Sequence, residues 1–442
     1  MRIADLSTAA LCGVAVFVAG CAEQPVPGPV ATAGSSPAIA PSGSVIRIDP
    51  GPDAPRKAQA ALINARPGDV IEFAAGRFDC RATLSLDVSR VTIRGQGPDR
   101  TILAFKDQGP GTGGEGLLVT SKEDVTIQDL AVEDARGDAI KVQGTRRIVL
   151  RNLRVEWTGG PKETNGSYGL YPVLCNDVVI EGCTAVGASD AGIYVGQSEN
   201  IIVRGNTARQ NVAGIEIENS TRADVADNLA TDNSGGILVF TLPDLPRKDG
   251  RLCRVFHNRV LANNHENFAP KGNTVATVPP GTGVMIMAHD QVEVFDNTIE
   301  RNQTAGLSIV SYLITGKPFT DEKYDPFCEA VYVHDNRFAG NGGQPAGELG
   351  GLLARALGTP LPDILYDGVA DPKKQAGGKL PDALAIRIRH NGTAGFANFD
   401  APALKASAAE AGKGPAPKIV RDLTAYEGAL PALAPVSIEG LR

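Results

Sequence analysis

The stretch GIYVGQSENIIVRGNTARQNVAGIEIENS, from Gly192 to Ser220, restates itself. Gly192-Ile193-Tyr194-Val195 returns 22 residues later as Gly214-Ile215-Glu216-Ile217. The same strand type recurs downstream as GILV at Gly236, GVMI at Gly283 and GLSI at Gly306, with weaker copies upstream in DAIKV and GLYPV. Between these lies a second strand type that ends in asparagine: Asn206, Asn228, Asn258, Asn297 and Asn336 hold equivalent places, 22, 30, 39 and 39 residues apart. Short Val-, Ile- and Thr-rich strands closed by Asn, Gly or Asp, repeated at such spacings, describe a solenoid. One unit cannot bury its apolar face alone, so units stack and share a core. Propeller blades need longer repeats, and a leucine-rich frame is absent. Stacked coils of a parallel β-helix fit, with the asparagines in hydrogen-bonded ladders.

The composition agrees. The chain has 442 residues, 42% hydrophobic and 5% aromatic, with 51 Gly and 30 Pro; this suits a turn-rich all-β fold better than a helix bundle. A net charge of −7 argues against nucleic acid or an anionic membrane as partner, and it would mildly repel an acidic polysaccharide. Arg2 before the apolar run LCGVAVFVAGC reads as an export signal over residues 1–20. VAGC resembles a bacterial lipobox, which implies cleavage before Cys21, a lipid on its thiol and a place in the bacterial cell envelope. Residues 21–44, rich in Pro, Ala and Ser, read as a tether. Cys80, Cys175, Cys183, Cys253 and Cys328 remain; they show no metal spacing and read as small buried hydrophobes.

At the front of the domain, an amphipathic segment from Pro55 to Ala65 is expected to cap the coil. The strand Val70 to Phe73 follows it. The stretch INARPGDVIEFAAGRF…LSLDVSRVTIRGQGPDRTIL resembles the opening of right-handed parallel β-helix proteins of the pectate-lyase-like superfamily. EGLLVTSKEDVTIQDLAVEDARGDAIKV and its continuation through GTGVMIM resemble a family of exported or lipid-anchored bacterial β-helix proteins of unknown function. The resemblance spans about residues 45 to 340. It implies fold and export, and a gene often beside one for a c-type cytochrome. That family has no established catalytic residues to carry over. After residue 340 the repeat fades: GELGGLLARALG reads as a helix, ALAIRIRHNGT as one late coil strand, and the rest as a low-complexity tail.

Strand side chains alternate with period two. Ile140, Leu170, Ile193, Ile215, Ile237, Val284 and Leu307 are therefore expected to face in. The next residues, Lys141, Tyr171, Tyr194, Glu216, Leu238, Met285 and Ser308, are expected to form one outward stripe. Its polar half suits a sugar chain: Lys141, Tyr194, Glu216 and Asp190 are the candidate catalytic groups, and Asp138, Trp157, Tyr171 and Glu218 the candidate binding groups. Trp157 offers either a ring for a sugar or packing for its loop. Insertions before the Tyr171 and Met285 strands, and after Phe240 and Val310, are expected to wall the stripe into a groove. Lyase, epimerase and hydrolase chemistry all remain open. No organic cofactor is expected; Asp190, Glu216 and Glu218 are the acids that would suit calcium. His257, His289 and His334 read as loop or surface residues. The apolar half (Leu238, Phe240, Met285, Met287, Val310) needs a cover, either the chain's own loops and C-terminal segment or an exported partner such as a cytochrome. The latter reading makes the protein a non-catalytic scaffold. The chain itself is expected to be a monomer.

Overall fold

A computed structural model describes residues 43–409 and 416–440. The segment read as an export signal, Cys21 and nearly all of the expected tether lie outside the described residues.

The central coils carry three strands each. In one repeat these are Ala191–Gly196, Glu199–Arg204 and Thr207–Arg209. The next coil repeats them as Ala213–Glu218, Thr221–Ala226 and Leu229–Thr231, parallel and in register. The Gly-Ile strands stack into an 11-stranded parallel sheet, and the other two faces merge into a 20-stranded one. The seven residues expected to face in, from Ile140 to Leu307, are fully buried.

The asparagines explain the corners. Asn206 passes its amide to Asn228, and the ladder continues through Asn258, Asn297 and Asn336 to Asn391, each step at 2.9–3.0 Å. The residue before each ladder asparagine is left-handed: Gly205, Asp227, His257, Asp296 and Asp335 have φ between 53° and 64°. Short polar residues and glycine bear that conformation best. A second ladder runs five residues later, through Asn211, Asn233, Asn263, Asn302 and Asn341. It explains the recurring glycine. The amide of Asn211 occupies the place a Cβ on Gly192 would need, at 2.6 Å, and Asn263 stands 2.8 Å from the Cβ position of Gly236. Gly192 and Ile193 both point inward, so the strict alternation breaks at this glycine.

Helix α1 (Ala54–Asn64) closes the first coil, burying Ala54, Ala58, Ala61 and Leu62. Gln59 in α1 exchanges two 2.9 Å bonds with the backbone of Ser85. This protects the edge strand Leu84–Leu86 of the 11-stranded sheet. Stacking continues past residue 340: Ile364–Tyr366 and Phe396–Asn398 extend the 11-stranded sheet, and Arg387–Arg389 extends the other. Helices α2 (Gly347–Leu357) and α3 (Ala401–Ala409) fold back over the 11-stranded sheet, burying Leu353, Leu357 and Leu404 there.

Residues beyond Tyr426 run back along the outside of the 20-stranded sheet. They follow one column of side chains, Val149, Val179, Ile202, Asp224, Arg254, Glu293, Tyr332 and Arg387. The Leu433 and Val436 amides donate to Glu293 (2.9 Å) and Asp224 (3.1 Å). Ile438 packs on Val149 and Val179, and Arg147 donates to the Glu439 carbonyl at 2.8 Å. The end of the tail, residues 427–440, is thus a docked strap. All five described cysteines are buried and unpaired, and burial pushes the Cys80 and Cys183 thiols up to about 12.

Candidate functional site

The outward stripe forms in the expected register. Lys141 pairs with Tyr171, Tyr194 with Glu216, then Leu238, Met285 and Ser308 in turn. From Tyr194 onward it does not face solvent. Tyr194 (4%), Glu216 (2%), Leu238 (0%) and Ser308 (6%) are nearly inaccessible. The insertions at 264–281 and 311–328, with α2 and α3, lie over the stripe: Val275, Val278, Tyr312, Tyr324, Leu353 and Leu404 share one apolar cluster with Leu238 and Met285. Lys317 joins the two insertions by donating to the Gly272 carbonyl at 3.2 Å. The expected groove walls are therefore a roof, and the chain itself covers the apolar half. A cavity of about 940 Å³ remains beside Phe240, Met285 and Met287.

The polar half is a cluster of acids and phenols. Tyr168, Tyr171 and Tyr194 pack with ring centroids 4.4–5.0 Å apart. The Tyr194 hydroxyl donates to Glu218 Oε1 at 2.5 Å. It passes over Gly196, where any Cβ would lie 2.3 Å from that hydroxyl. Asn273, on the 264–281 insertion, donates to Asp190 Oδ2 at 3.0 Å. Glu216 Oε2 is buried with no hydrogen-bond partner among the described residues. Lys141 lies between Glu115 (3.9 Å) and Asp138 (3.8 Å), with its ammonium 5.2 Å from the Tyr171 ring. Lys141, Asp138, Tyr168 and Tyr171 stay partly open to solvent; the carboxyls of Asp190, Glu216 and Glu218 form the closed end.

Burial sets the protonation. It pushes Asp190 and Glu218 up to about 7, Asp190 further through the charge of Glu218. Glu216 is driven well above the carboxylate range by burial and by both neighbours. Asp138 rises to about 6, against the pull of Lys141. The phenols rise too, Tyr171 to about 12. Tyr194 is thus a hydrogen-bond donor to Glu218 rather than a base, since a phenolate is costly beside carboxylates.

These shifts carry a sign. The unfolded Asp190 and Glu218 would release protons near 3.8 and 4.5, but the folded groups hold them to about 7. The folded state binds more protons in that window, so stability falls as pH rises through it. The urea midpoint is expected to be higher at about pH 5 than at about pH 8, and Asp190→Asn with Glu218→Gln should narrow the gap. An unchanged gap in the double variant would contradict the burial-driven shifts.

Three corrections concern individual residues. Trp157 is a packing residue: it is 5% exposed, belongs to the main core and donates from Nε1 to the Ala135 carbonyl at 2.7 Å. His289 is fully buried, its Nδ1 3.0 Å from the Thr241 hydroxyl, and not a surface residue. Asp190, Glu216 and Glu218, expected on an open face, are buried because the insertions fold onto them. Tyr168 and Asn273 join the site without having been singled out. Tyr168 lies where the glycine breaks alternation, and Asn273 arrives through a long insertion that no periodicity can place.

Residues 85–243 match a family model described as the right handed beta helix region. Among curated proteins, none matches. Similar solved structures include a GH136 lacto-N-biosidase from Eubacterium ramulus, at 13% identity and TM-score 0.46. The match covers 68% of this chain and 65% of that one. The A-module of the Azotobacter vinelandii mannuronan C-5 epimerase AlgE6 is similar at 13% identity and TM-score 0.40, covering 76% and 79% of the two chains. Pectate lyase Pel9A is similar at 13% identity and TM-score 0.43, covering 80% and 90%. Its register-matched parallel coils give the chain the right-handed parallel β-helix fold, and the matching region lies within those coils.

Proposed function

We propose that the protein hydrolyses a polysaccharide without charged sugars, using Asp190, Glu216 and Glu218. The observation that carries this is the trio itself: three buried carboxyls on adjacent coils, one with an oxygen unpartnered among the described residues, beside tilted, closely packed phenol rings. Glycoside hydrolysis needs two carboxyls in different protonation states. Glu216, held protonated, suits the acid; Glu218, whose charged form the Tyr194 hydroxyl stabilises, suits the base or nucleophile. Lyase or epimerase action on a uronate needs a cation free to neutralise the sugar carboxylate. Lys141 is already engaged by Glu115 and Asp138, and the surrounding acids would repel a uronate. Tyr168 and Tyr171 offer ring faces at the open end. Glu216 lies under the roof, so access of a substrate to it requires part of that roof to lift.

The test is a depolymerisation screen over neutral and uronic polymers, followed by reducing-end assay. Glu216→Gln and Glu218→Gln should each lower turnover by about 10²–10⁴-fold on a neutral polymer. Tyr171→Ala should act mainly on KM. Cleavage confined to uronic polymers, with unsaturated products, would replace this reading by a lyase. Silence on every polymer would remove it.

A further inference from the structure

A second acidic cluster lies away from the stripe, at the turn where the 11-stranded sheet gives way to the 20-stranded one. Asp290 opens the strand Asp290–Phe295. Glu329 sits one coil on, fixed by its amide donating to Asp290 Oδ1 (3.0 Å) and its carbonyl accepting from Gln291 (2.8 Å). Asp325 is at the returning end of the 311–328 insertion. One oxygen from each of the three lies within 4.8 Å of the others. Oxygens around a single calcium ion, each about 2.3–2.6 Å from it, stand at most about 5 Å apart. The spacing therefore fits one ion.

Among the described residues the charges are not balanced. There Lys374 is the one cation in contact, donating to Asp325 Oδ2 and Glu329 Oε2, both at 2.7 Å. Asp290 has no cationic partner of its own among the described residues. Glu329 is 3% exposed, and its Oε1 is buried with no hydrogen-bond partner among the described residues. A buried carboxylate oxygen left without a partner is costly, and an ion is one of the few groups that relieves it. Burial and the two neighbouring acids also push Asp290 up to about 7, as expected where negative charge is in excess.

We propose that Asp290, Asp325 and Glu329 bind a hard divalent cation, calcium by preference, in competition with the Lys374 ammonium. The all-oxygen donor set excludes a preference for softer metals. Asp290 and Glu329 belong to the rigid coil, whereas Asp325 belongs to the roof over the stripe. The bound ion would tie the end of that roof to the coil, and Lys374 would be its built-in substitute when calcium is scarce.

The test uses calcium itself, titrated calorimetrically into the metal-stripped full chain. The wild type should take up one calcium ion. Glu329→Gln should weaken binding by about tenfold or more. Lys374→Met, which removes the competing charge, should bind about tenfold tighter. Calcium should also raise the melting temperature of Lys374→Met more than that of the wild type. Glu216→Gln, in the other acidic cluster, should bind calcium as the wild type does. The proposal is overturned if wild type and Glu329→Gln behave alike, or if Glu216→Gln is the variant that loses binding. If Lys374→Met does not fold, wild type against Glu329→Gln still decides, since Glu329→Gln keeps the side chain's shape.

Discussion

Asn297→Ala is expected to cost about 3–5 kcal/mol of folding stability, well above an ordinary substitution. The Asn297 amide donates to the Val255 carbonyl (2.8 Å), the Phe295 carbonyl (2.9 Å) and Asn336 Oδ1 (2.9 Å). Its oxygen accepts from the backbone and side chain of Asn258, at 2.9 and 3.0 Å. Alanine would strand donors and acceptors on both sides inside a buried corner, and ladder bonds polarise one another. Asn264→Ala is the control. Asn264 is exposed and makes single bonds to Arg301 and Gln303, so about 1 kcal/mol or less is expected. Urea midpoints measure both. Equal losses would mean that the ladder is only a consequence of coil stacking and contributes little to it.

The second large effect concerns adjacent glycines. A Cβ on Gly236 would meet the Gly283 carbonyl at 2.6 Å, Val260 at 2.6 Å and Asn263 at 2.8 Å. Two of these belong to the next coil's backbone and ladder and cannot move alone. Gly236→Ala is expected to lose about 3 kcal/mol through forced displacement. Gly235→Ala should lose less than about 1 kcal/mol, because its Cβ would touch only the side chains of Leu238 and Val278, at 3.2 Å. Ala191, Ala213 and Ala305 already occupy that column in other coils. Melting curves of the two variants should separate; coincident curves would show that the Gly236 site relaxes freely.

Much of this was legible in the sequence because the repeat fixes register. Once Ile193 is matched to Ile215, Tyr194 must lie beside Glu216, and the whole stripe follows. The Asn206–Asn336 ladder follows in the same way. The second ladder was equally visible, as asparagine recurs five residues after each member of the first, but only the structure shows that its amides exclude a side chain at the glycines. Burial of the stripe was not legible. It depends on where the 264–281 and 311–328 insertions and the chain after residue 340 come to rest, and those segments carry no period. Trp157 illustrates the same limit: a lone ring in an insertion reads alike whether it meets a sugar or its own loop.

The strap changes how the molecule responds to damage. In a plain solenoid each coil senses only its neighbours, so a fault at one end stays local. Here Arg147 bonds to Glu439, 292 positions along the chain. A break or misfold in the late coils would lift the strap and uncover Val149 and Val179, in much earlier coils. Loss of order at one end would therefore change which surface is exposed at a distance, a coupling that nearest-neighbour stacking alone does not provide.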